Sequence, residues 1–210
     1  MSETFTYDNL IAGSQQDIVN RKATIALGED LSRGALLGRI LRAIGDADPS
    51  AGNTGDGTIG SAALGAKAKV GVYTITCTAA GPPGVFSVVD PDGYRLDDAT
   101  AEVAYDGPIA FLIEAYGDAF IVGDSFTVEV ETGSLYCVQA DLDLLDGSAE
   151  PFGVLAEDVD ASLAATLTTV YVEGEFSEAG VTYGPLEDAD DWRELCAAVG
   201  IRLRATTEVS

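Results

Sequence analysis

The most strand-like stretch of the chain is residues 151–176, PFGVLAEDVDASLAATLTTVYVEGEF. Two short apolar runs, 152–156 and 164–172, flank an acidic connector that holds Glu157, Asp158 and Asp160. Each run has the length of a strand, and the second is rich in Thr and Val, which favour strands. The pattern therefore predicts two buried strands, the second ending at Gly174, with no catalytic grouping in either.

The hydrophobic and polar pattern of residues 1–44 predicts an arm followed by short strands. Residues 1–20 are polar, and within them residues 3–7 (ETFTY) alternate polar and aromatic side chains with the strand period and no nearby hairpin partner. Such a strand can add to the sheet edge of another protein, while a frayed terminus is the alternative. Residues 21–44 hold two short strands between Gly-containing turns, which is typical of a small β-barrel or sandwich edge.

A second domain is predicted in the middle of the chain. Residues 45–57 are rich in Gly, Asp and Pro, as at a domain boundary, and about five strand-like runs follow at 72–78, 86–88, 101–105, 109–115 and 125–131. Their regular spacing indicates an inserted Ig-like antiparallel β-sandwich at 46–133, within a domain formed by 1–45 and 134–210. The apolar residues of these strands that share a face are Tyr73, Ile75, Cys77, Phe86, Val88, Phe111, Ile113, Phe126, Val128 and Val130.

The C-terminal part carries the one clear helical pattern. Apolar residues at Trp192, Leu195, Cys196 and Val199 have the i, i+3, i+4, i+7 spacing of a helix over 188–199. Asp188 stands at the N-cap position, and the Gly at position 200 follows the last turn. A last strand at 201–205 should rejoin the sheet, so the predicted fold is mainly β, with one C-terminal helix.

Charge and composition narrow the function. The 35 acidic and 11 basic residues give a net charge of -24, which repels phosphate backbones and anionic headgroups and makes nucleic acid and membranes poor partners. The N-terminus lacks a signal-peptide pattern. Without any His, a Ser-His-Asp arrangement is excluded. The three Cys fit no disulfide framework or zinc site and are expected to be buried free thiols.

Carboxylates do not suggest chemistry either. Glu157 and Asp158 point to opposite faces if they lie in a strand, so a solvated connector is favoured over an acid–base pair. The turn at 90–93 (DPDG) has the start of a calcium loop, but its Gly comes too early and the next Glu, Glu102, comes too late. The sequence predicts a non-enzymatic structural protein without a cofactor or metal.

Several motifs in order resemble the head decoration protein family of tailed phages, of the lambda decoration protein D type. They are residues 3–6 (ETFT), 33–38 (RGALLG), 146–149 (DGSA), 152–161 (FGVLAEDVDA), 170–176 (VYVEGEF) and 200–201 (GI). The resemblance implies a β-tulip-like barrel that binds the major capsid protein as a homotrimer at threefold and quasi-threefold positions of the expanded head, on the outer surface of the virion, after synthesis in the host cytoplasm. There it would stabilise the shell against the pressure of packaged DNA. Trimers would form in solution or only on the capsid.

The resemblance also implies a binding segment. The N-terminal arm would add a strand to a capsid subunit. The capsid-binding residues are therefore predicted to be Ser2, Glu3, Thr4, Phe5, Thr6 and Tyr7. The inserted domain is not part of the minimal lambda pattern and would project outward, where it contacts host surfaces or enlarges the trimer.

Two other functions fit the sequence. The inserted domain could be a receptor- or glycan-binding module, with Tyr94, Tyr105 and Tyr116 as exposed stacking residues. The chain could also be a tail-tube or fibre subunit, which would assemble into rings or filaments without capsids.

Overall fold

A computed structural model of the chain describes residues 9–14 and 17–205. The chain divides into two compact units, one formed by Met1–Leu41 with Leu135–Ser210 and the other by Arg42–Ser134. The first boundary precedes the predicted residue 46, because residues 42–45 already belong to a long strand, Arg42–Pro49, of the second unit. We call the two parts the barrel unit and the inserted unit.

The fold is mainly β, as predicted. The strands that precede and form the inserted unit are β1 (Val19–Ile25), β2 (Asp30–Leu31), β3 (Leu36–Arg39), β4 (Arg42–Pro49), β5 (Thr58–Ile59), β6 (Ala63–Leu64), β7 (Gly71–Ala79), β8 (Val85–Val89), β9 (Ala99–Thr100), β10 (Tyr105–Asp106), β11 (Ile109–Phe111), β12 (Ile113–Glu114) and β13 (Ser125–Thr132). The later elements are β14 (Cys137–Gln139), β15 (Pro151–Leu155), β16 (Val159–Asp160), β17 (Thr166–Ser177), helix α1 (Ala189–Ala198) and β18 (Ile201–Arg204). A 3-10 turn, Glu178–Gly180, follows β17.

Five strands of the barrel unit close into a ring in the order β1, β14, β3, β15 and β17, with β17 pairing back to β1. The ring closes through one parallel pair, Ile25 with Cys137, where the amide of Ala26 donates to the carbonyl oxygen of Cys137 at 2.8 Å. Strand β18 adds to β17 in parallel, outside the ring. The closed ring leaves few free strand edges in this unit.

Strand β17 is longer than the sequence pattern predicted. It continues through Gly174 to Ser177, so the predicted end at Gly174 is wrong. Gly174 has φ +152, and a Cβ there would lie 3.1 Å from the ring of Phe176 and 3.3 Å from Ile18. The positive φ and the tight surroundings favour a glycine at the position where β17 begins to pair with β18. The acidic connector before β17 is partly a strand as well, since β16 pairs with β2.

Both faces of the barrel strand β3 are buried. Successive residues in a strand point to opposite faces, and the neighbours Leu36 and Leu37 accordingly belong to two different apolar clusters. One cluster contains Leu36 with the helix residues Trp192 and Cys196, and the other contains Leu37. Burial of these faces is the main stabilising contribution in the unit.

Helix α1 begins as predicted. Asp188 is its N-cap and accepts from the amide of Asp190 at 2.8 Å, while the Asp191 carboxylate accepts from the amide of Asp188 at 3.0 Å. Of the four residues on the predicted apolar face, Trp192 and Cys196 are buried, but Leu195 is 42% and Val199 44% exposed.

The inserted unit is built on an antiparallel sheet in the order β4, β13, β7, β8, β9, with small additional sheets. The face predicted from alternation is buried, from Tyr73, Ile75 and Cys77 to Phe126, Val128 and Val130. Two predicted strands differ. Residues 101–104 form a turn instead of a strand, because Glu102 takes φ +64, and the run at 109–115 is broken into β11 and β12.

A buried carboxylate organises one end of the inserted unit. Asp124 is 3% exposed and accepts hydrogen bonds from the amides of Thr54 at 2.9 Å, Gly55 at 2.9 Å and Ile121 at 3.0 Å. Burial raises the pKa of Asp124, but the three backbone donors outweigh this effect and hold the pKa below its ordinary value. The ionised carboxylate therefore ties the loop after β4 to the turn before β13.

Candidate functional site

The predicted capsid-binding residues, Ser2 to Tyr7, lie outside the residues that the structure describes. The described chain starts at Asn9, and we call residues 9–12 the arm root, since they connect the predicted arm to the barrel unit.

Backbone hydrogen bonds fix the arm root to β17. Ile11 pairs antiparallel with Phe176. The amide of Ala12 donates to the carbonyl oxygen of Glu175 at 3.0 Å, and the amide of Ser177 donates to that of Leu10 at 2.7 Å. Strand β1 pairs with β17 only as far as Glu173. The root therefore takes the next pairing positions along β17.

The side chain of Leu10 anchors the root in the core. It is 1% exposed and packs in the cluster that contains Phe176 and Trp192. The backbone passes close to a glycine here, since a Cβ on Gly180 would lie 2.3 Å from the carbonyl oxygen of Asn9. Burying a Leu side chain stabilises a fold by about 1.5–3 kcal/mol, so the root is held by packing as well as by hydrogen bonds.

Charged side chains surround the root at the surface. The Glu175 carboxylate accepts from Arg204 at 2.6 Å and lies 4.0 Å from Arg202. The hydrogen bond from Arg204 lowers the pKa of Glu175 below its ordinary value. Arg193 of α1 pairs with Glu178 and with Asp190. Exposed pairs of this kind contribute little to stability, but they leave arginines at the surface of an acidic protein.

Three basic side chains among residues 21–42 contact neighbours on the barrel unit. Lys22 donates to Thr169 Oγ1 at 2.9 Å, and the Nε of Arg33 donates to the carbonyl oxygen of Ala156 at 3.1 Å. The guanidinium of Arg39 lies 4.9 Å from the centre of the Phe152 ring. Each of these cations therefore has its own neighbour on the barrel unit.

The carboxylates considered for chemistry have separate partners. Glu157 accepts from Thr168 Oγ1 at 2.9 Å, whereas Asp158 accepts from the amide of Arg33 at 2.7 Å. This arrangement supports the connector role expected for them. Within residues 9–14 and 17–205, no group of three His, Cys, Asp or Glu residues is placed to hold a metal ion.

The calcium-like turn of the inserted unit already holds a cation, the ammonium group of Lys69. Its Nζ donates to Asp90 and to Asp92, both at 2.6 Å. Asp90 is 6% exposed and also accepts from the amide of Tyr94 at 2.8 Å. These hydrogen bonds, foremost the one from Lys69, hold the pKa of Asp90 below its ordinary value. The turn is thus closed by a lysine.

The three candidate stacking tyrosines have different surroundings. Tyr105 is 8% exposed and stacks on Phe111 at 4.7 Å, so the expectation that it is an exposed binding residue is wrong. Tyr94 is exposed beside Lys69. Tyr116 is 60% exposed and lines a surface cavity. Sequence alternation could not reveal this cavity, because its wall depends on the turn at Glu102.

The three Cys residues are free and buried, as predicted. Burial raises the pKa of the Cys137 thiol to about 11 and that of the Cys196 thiol to about 12. In the part of the chain that the structure describes, no helix has the length and apolar character to cross a bilayer.

Comparison with solved structures gives weak similarity to FlgL of Xanthomonas campestris in two crystal forms. One match has 23% identity and a TM-score of 0.35 and covers 48% of this chain and 33% of the FlgL chain. The other has 22% identity and a TM-score of 0.34 and covers 49% and 32%. The match thus spans about a third of FlgL and carries no argument about function.

Sequence comparison identifies the family. A search of curated proteins found no match. The family described as bacteriophage lambda head decoration protein D matches residues 1–200, which include the whole inserted unit and most of the barrel unit. That family is a structural component of the phage head. The chain therefore belongs to the bacteriophage lambda head decoration protein D family.

Proposed function

We propose that this protein is a cement protein, which binds as a homotrimer at the threefold and quasi-threefold positions of the expanded head and stabilises the shell against the pressure of packaged DNA. Ser2 to Tyr7 add a strand to a subunit of the major capsid protein. The inserted unit faces away from the shell. The family match over residues 1–200 supports a role on the head.

The anchored arm root is the observation that carries the proposed capsid binding by the arm. A strand that binds the capsid can stabilise the shell only if it is firmly attached to a folded domain. The backbone pairs of Leu10 and Ala12 with β17, together with the buried Leu10 side chain, provide that connection. The period-two alternation of residues 3–7 suits strand addition, in which main-chain hydrogen bonds give the affinity.

Deleting Ser2 to Tyr7 tests this proposal. The variant should fail to co-sediment with expanded empty capsids while its circular dichroism spectrum and the fluorescence of Trp192 stay unchanged, because every residue that anchors the root is kept. A matched control deletes residues 206–210 at the other terminus and should bind normally. Undiminished binding of the arm deletion would refute capsid binding by the arm.

A second variant tests whether main-chain hydrogen bonds, and not only the presence of the segment, are needed for binding. Thr4→Pro with Phe5→Pro keeps an extended backbone but removes two amide donors, one of which must face the capsid edge in either register. We expect this variant to bind as poorly as the deletion. The control Thr4→Ala with Phe5→Leu keeps both donors and should retain most of the binding.

The shell-stabilising role has its own measurement. DNA-filled heads with the full-length protein should retain their DNA to a higher temperature than heads with the arm-deleted protein, as measured by nuclease-accessible DNA. A reconstruction of the decorated head should show three copies around each threefold axis. Another stoichiometry, or equal DNA retention, would contradict the cement function.

A further inference from the structure

A cavity of about 560 Å³ opens at the surface of the inserted unit. Its wall is formed by the loop at 81–84, the turn at 101–103 and the segment 115–120. This volume falls within the range of small-molecule binding sites, about 300–1,000 Å³. The head attachment proposed above depends on the barrel unit, and the cavity lies wholly in the inserted unit.

The wall of the cavity is mainly apolar and aromatic. Pro82, Pro83, Val103 and Tyr116 are among the residues that line it. Phe120 lies at the cavity but is only 2% exposed, and its ring packs edge-on against Phe86 with 5.0 Å between centroids. The cavity therefore has a firmly packed aromatic side and room for an apolar group.

Two carboxylates add negative charge to this apolar site, Glu102 in the wall and Glu114 next to the lining residue Ala115. Glu102 lines the cavity and accepts from the amide of Ala115 through Oε1 at 2.6 Å. Glu114 Oε2 accepts from the hydroxyl of Tyr116 at 2.9 Å. Both side chains are thus held in place, and the second bond also orients the tyrosine ring. The residues that line the cavity include no Lys or Arg.

We propose that this cavity binds an organic cation that carries a methylated ammonium group. The electron-rich face of an aromatic ring attracts such a cation, and Tyr116 is the exposed aromatic residue of the lining. Glu102 in the wall and Glu114 beside it add charge complementarity. An anionic ligand would meet only like charge, in a protein of net charge -24. A primary ammonium group needs several hydrogen-bond acceptors once it leaves water, and the mainly apolar wall offers few beyond the Glu102 carboxylate. A methylated ammonium has no such need and can pack its methyl groups against the prolines.

Choline and its uncharged isostere 3,3-dimethyl-1-butanol test the proposal on the full chain. Isothermal titration calorimetry at constant ionic strength should show saturable binding of choline, with an affinity about tenfold higher than that of the alcohol. Equal affinities would show an apolar cavity without cation recognition and would overturn the proposal. The weakest dissociation constant expected for such a small ligand is on the order of tens of millimolar. No choline binding at these concentrations would therefore also overturn the proposal.

Variants locate the binding. Glu102→Gln with Glu114→Gln removes both charges but keeps an acceptor for each hydrogen bond, and Tyr116→Leu removes the aromatic face. Each should weaken choline binding at least about fivefold and leave the alcohol nearly unaffected. Tyr94→Leu is the matched control, because Tyr94 is 68% exposed in the same unit and does not line the cavity. Unchanged choline binding in both cavity variants, with unaltered melting temperatures, would place the cation elsewhere and refute the proposal.

Discussion

Two glycines offer a direct test of whether the barrel and inserted units fold independently. Gly38 lies on β3, between its partners on β14 and β15, and a Cβ at this position would lie 1.9 Å from the carbonyl oxygen of Ser148. Gly65 of the inserted unit is equally tight, because a Cβ there would lie 1.8 Å from the carbonyl oxygen of Gly107. Both neighbours are backbone atoms, so neither clash can be relieved by a side-chain rotation.

The size of the effect follows from the distances. Ordinary van der Waals contact begins near 3.4 Å, so Gly38→Ala requires the β3 backbone and the loop at Ser148 to separate by about 1.5 Å. Displacements of this kind in a packed interior cost about 1–3 kcal/mol. With a urea dependence of about 1–3 kcal/mol per molar, we expect the unfolding midpoint of the affected unit to fall by about 1 M.

A single tryptophan makes the assay specific to one unit. Trp192, the only Trp in the chain, is fully buried in the barrel unit, so its fluorescence follows the unfolding of that unit alone. Gly38→Ala should lower the fluorescence midpoint. Circular dichroism reports the unfolding of both units. Gly65→Ala should lower the midpoint of the circular dichroism transition of the inserted unit and leave the fluorescence midpoint unchanged. Gly60→Ala is the control, since a Cβ there meets nothing within 4 Å. If Gly65→Ala shifted the Trp192 midpoint as far as Gly38→Ala does, the two units would not be independent.

Three further predictions concern buried polar and thiol groups. Because folding lowers the pKa of Asp124, its contribution to stability is present above the unfolded value of about 4 and is lost as the pH falls through the lower folded value. Asp124→Asn should therefore destabilise the inserted unit at pH 7 and progressively less below pH ~4 in urea titrations, and a pH-independent difference would contradict this sign. Lys69→Met should lower the midpoint of the inserted unit, because Asp90 then loses its cationic partner, and an unchanged circular dichroism transition would refute that role. The raised pKa values of Cys137 and Cys196 predict no reaction of these thiols with a disulfide reagent at pH ~8 until the protein unfolds, whereas labelling of either thiol faster than unfolding would contradict their burial.

Local patterns allowed the individual elements to be predicted. Alternation placed Tyr73, Ile75 and Cys77 on the buried face of β7, because the strand period depends only on neighbouring residues. The Asp188 N-cap was also visible, since capping involves residues within one turn. The exposed Leu195 shows the limit of such reasoning, because helical spacing defines a face but not how much of it the sheet covers.

Features that depend on distant residues could not be predicted. The barrel closes through a single pair between Ile25 and Cys137, and nothing in either local sequence identifies the other. Strand β17 passes through Gly174 because β18, which follows later in the chain, supplies new pairing positions. The cavity beside Tyr116 exists because Glu102 leaves the strand conformation, which apolar alternation around it concealed.

In the proposed binding mode, the arm root lowers the entropic cost of holding a short arm on the capsid. Fixing the backbone of a residue costs about 1–2 kcal/mol, and Leu10, Ile11 and Ala12 are already fixed on β17, so about 3–6 kcal/mol need not be supplied by capsid contacts. Leu10→Ala removes the buried anchor and should destabilise the barrel unit by about 2–5 kcal/mol. It should also weaken capsid co-sedimentation at temperatures well below unfolding, although Ser2 to Tyr7 are unchanged. Leu27→Ala, at a 64% exposed position of the same unit, is the control and should alter neither property. If Leu10→Ala lowered the Trp192 midpoint but left capsid binding intact, the root would stabilise the fold without contributing to the grip.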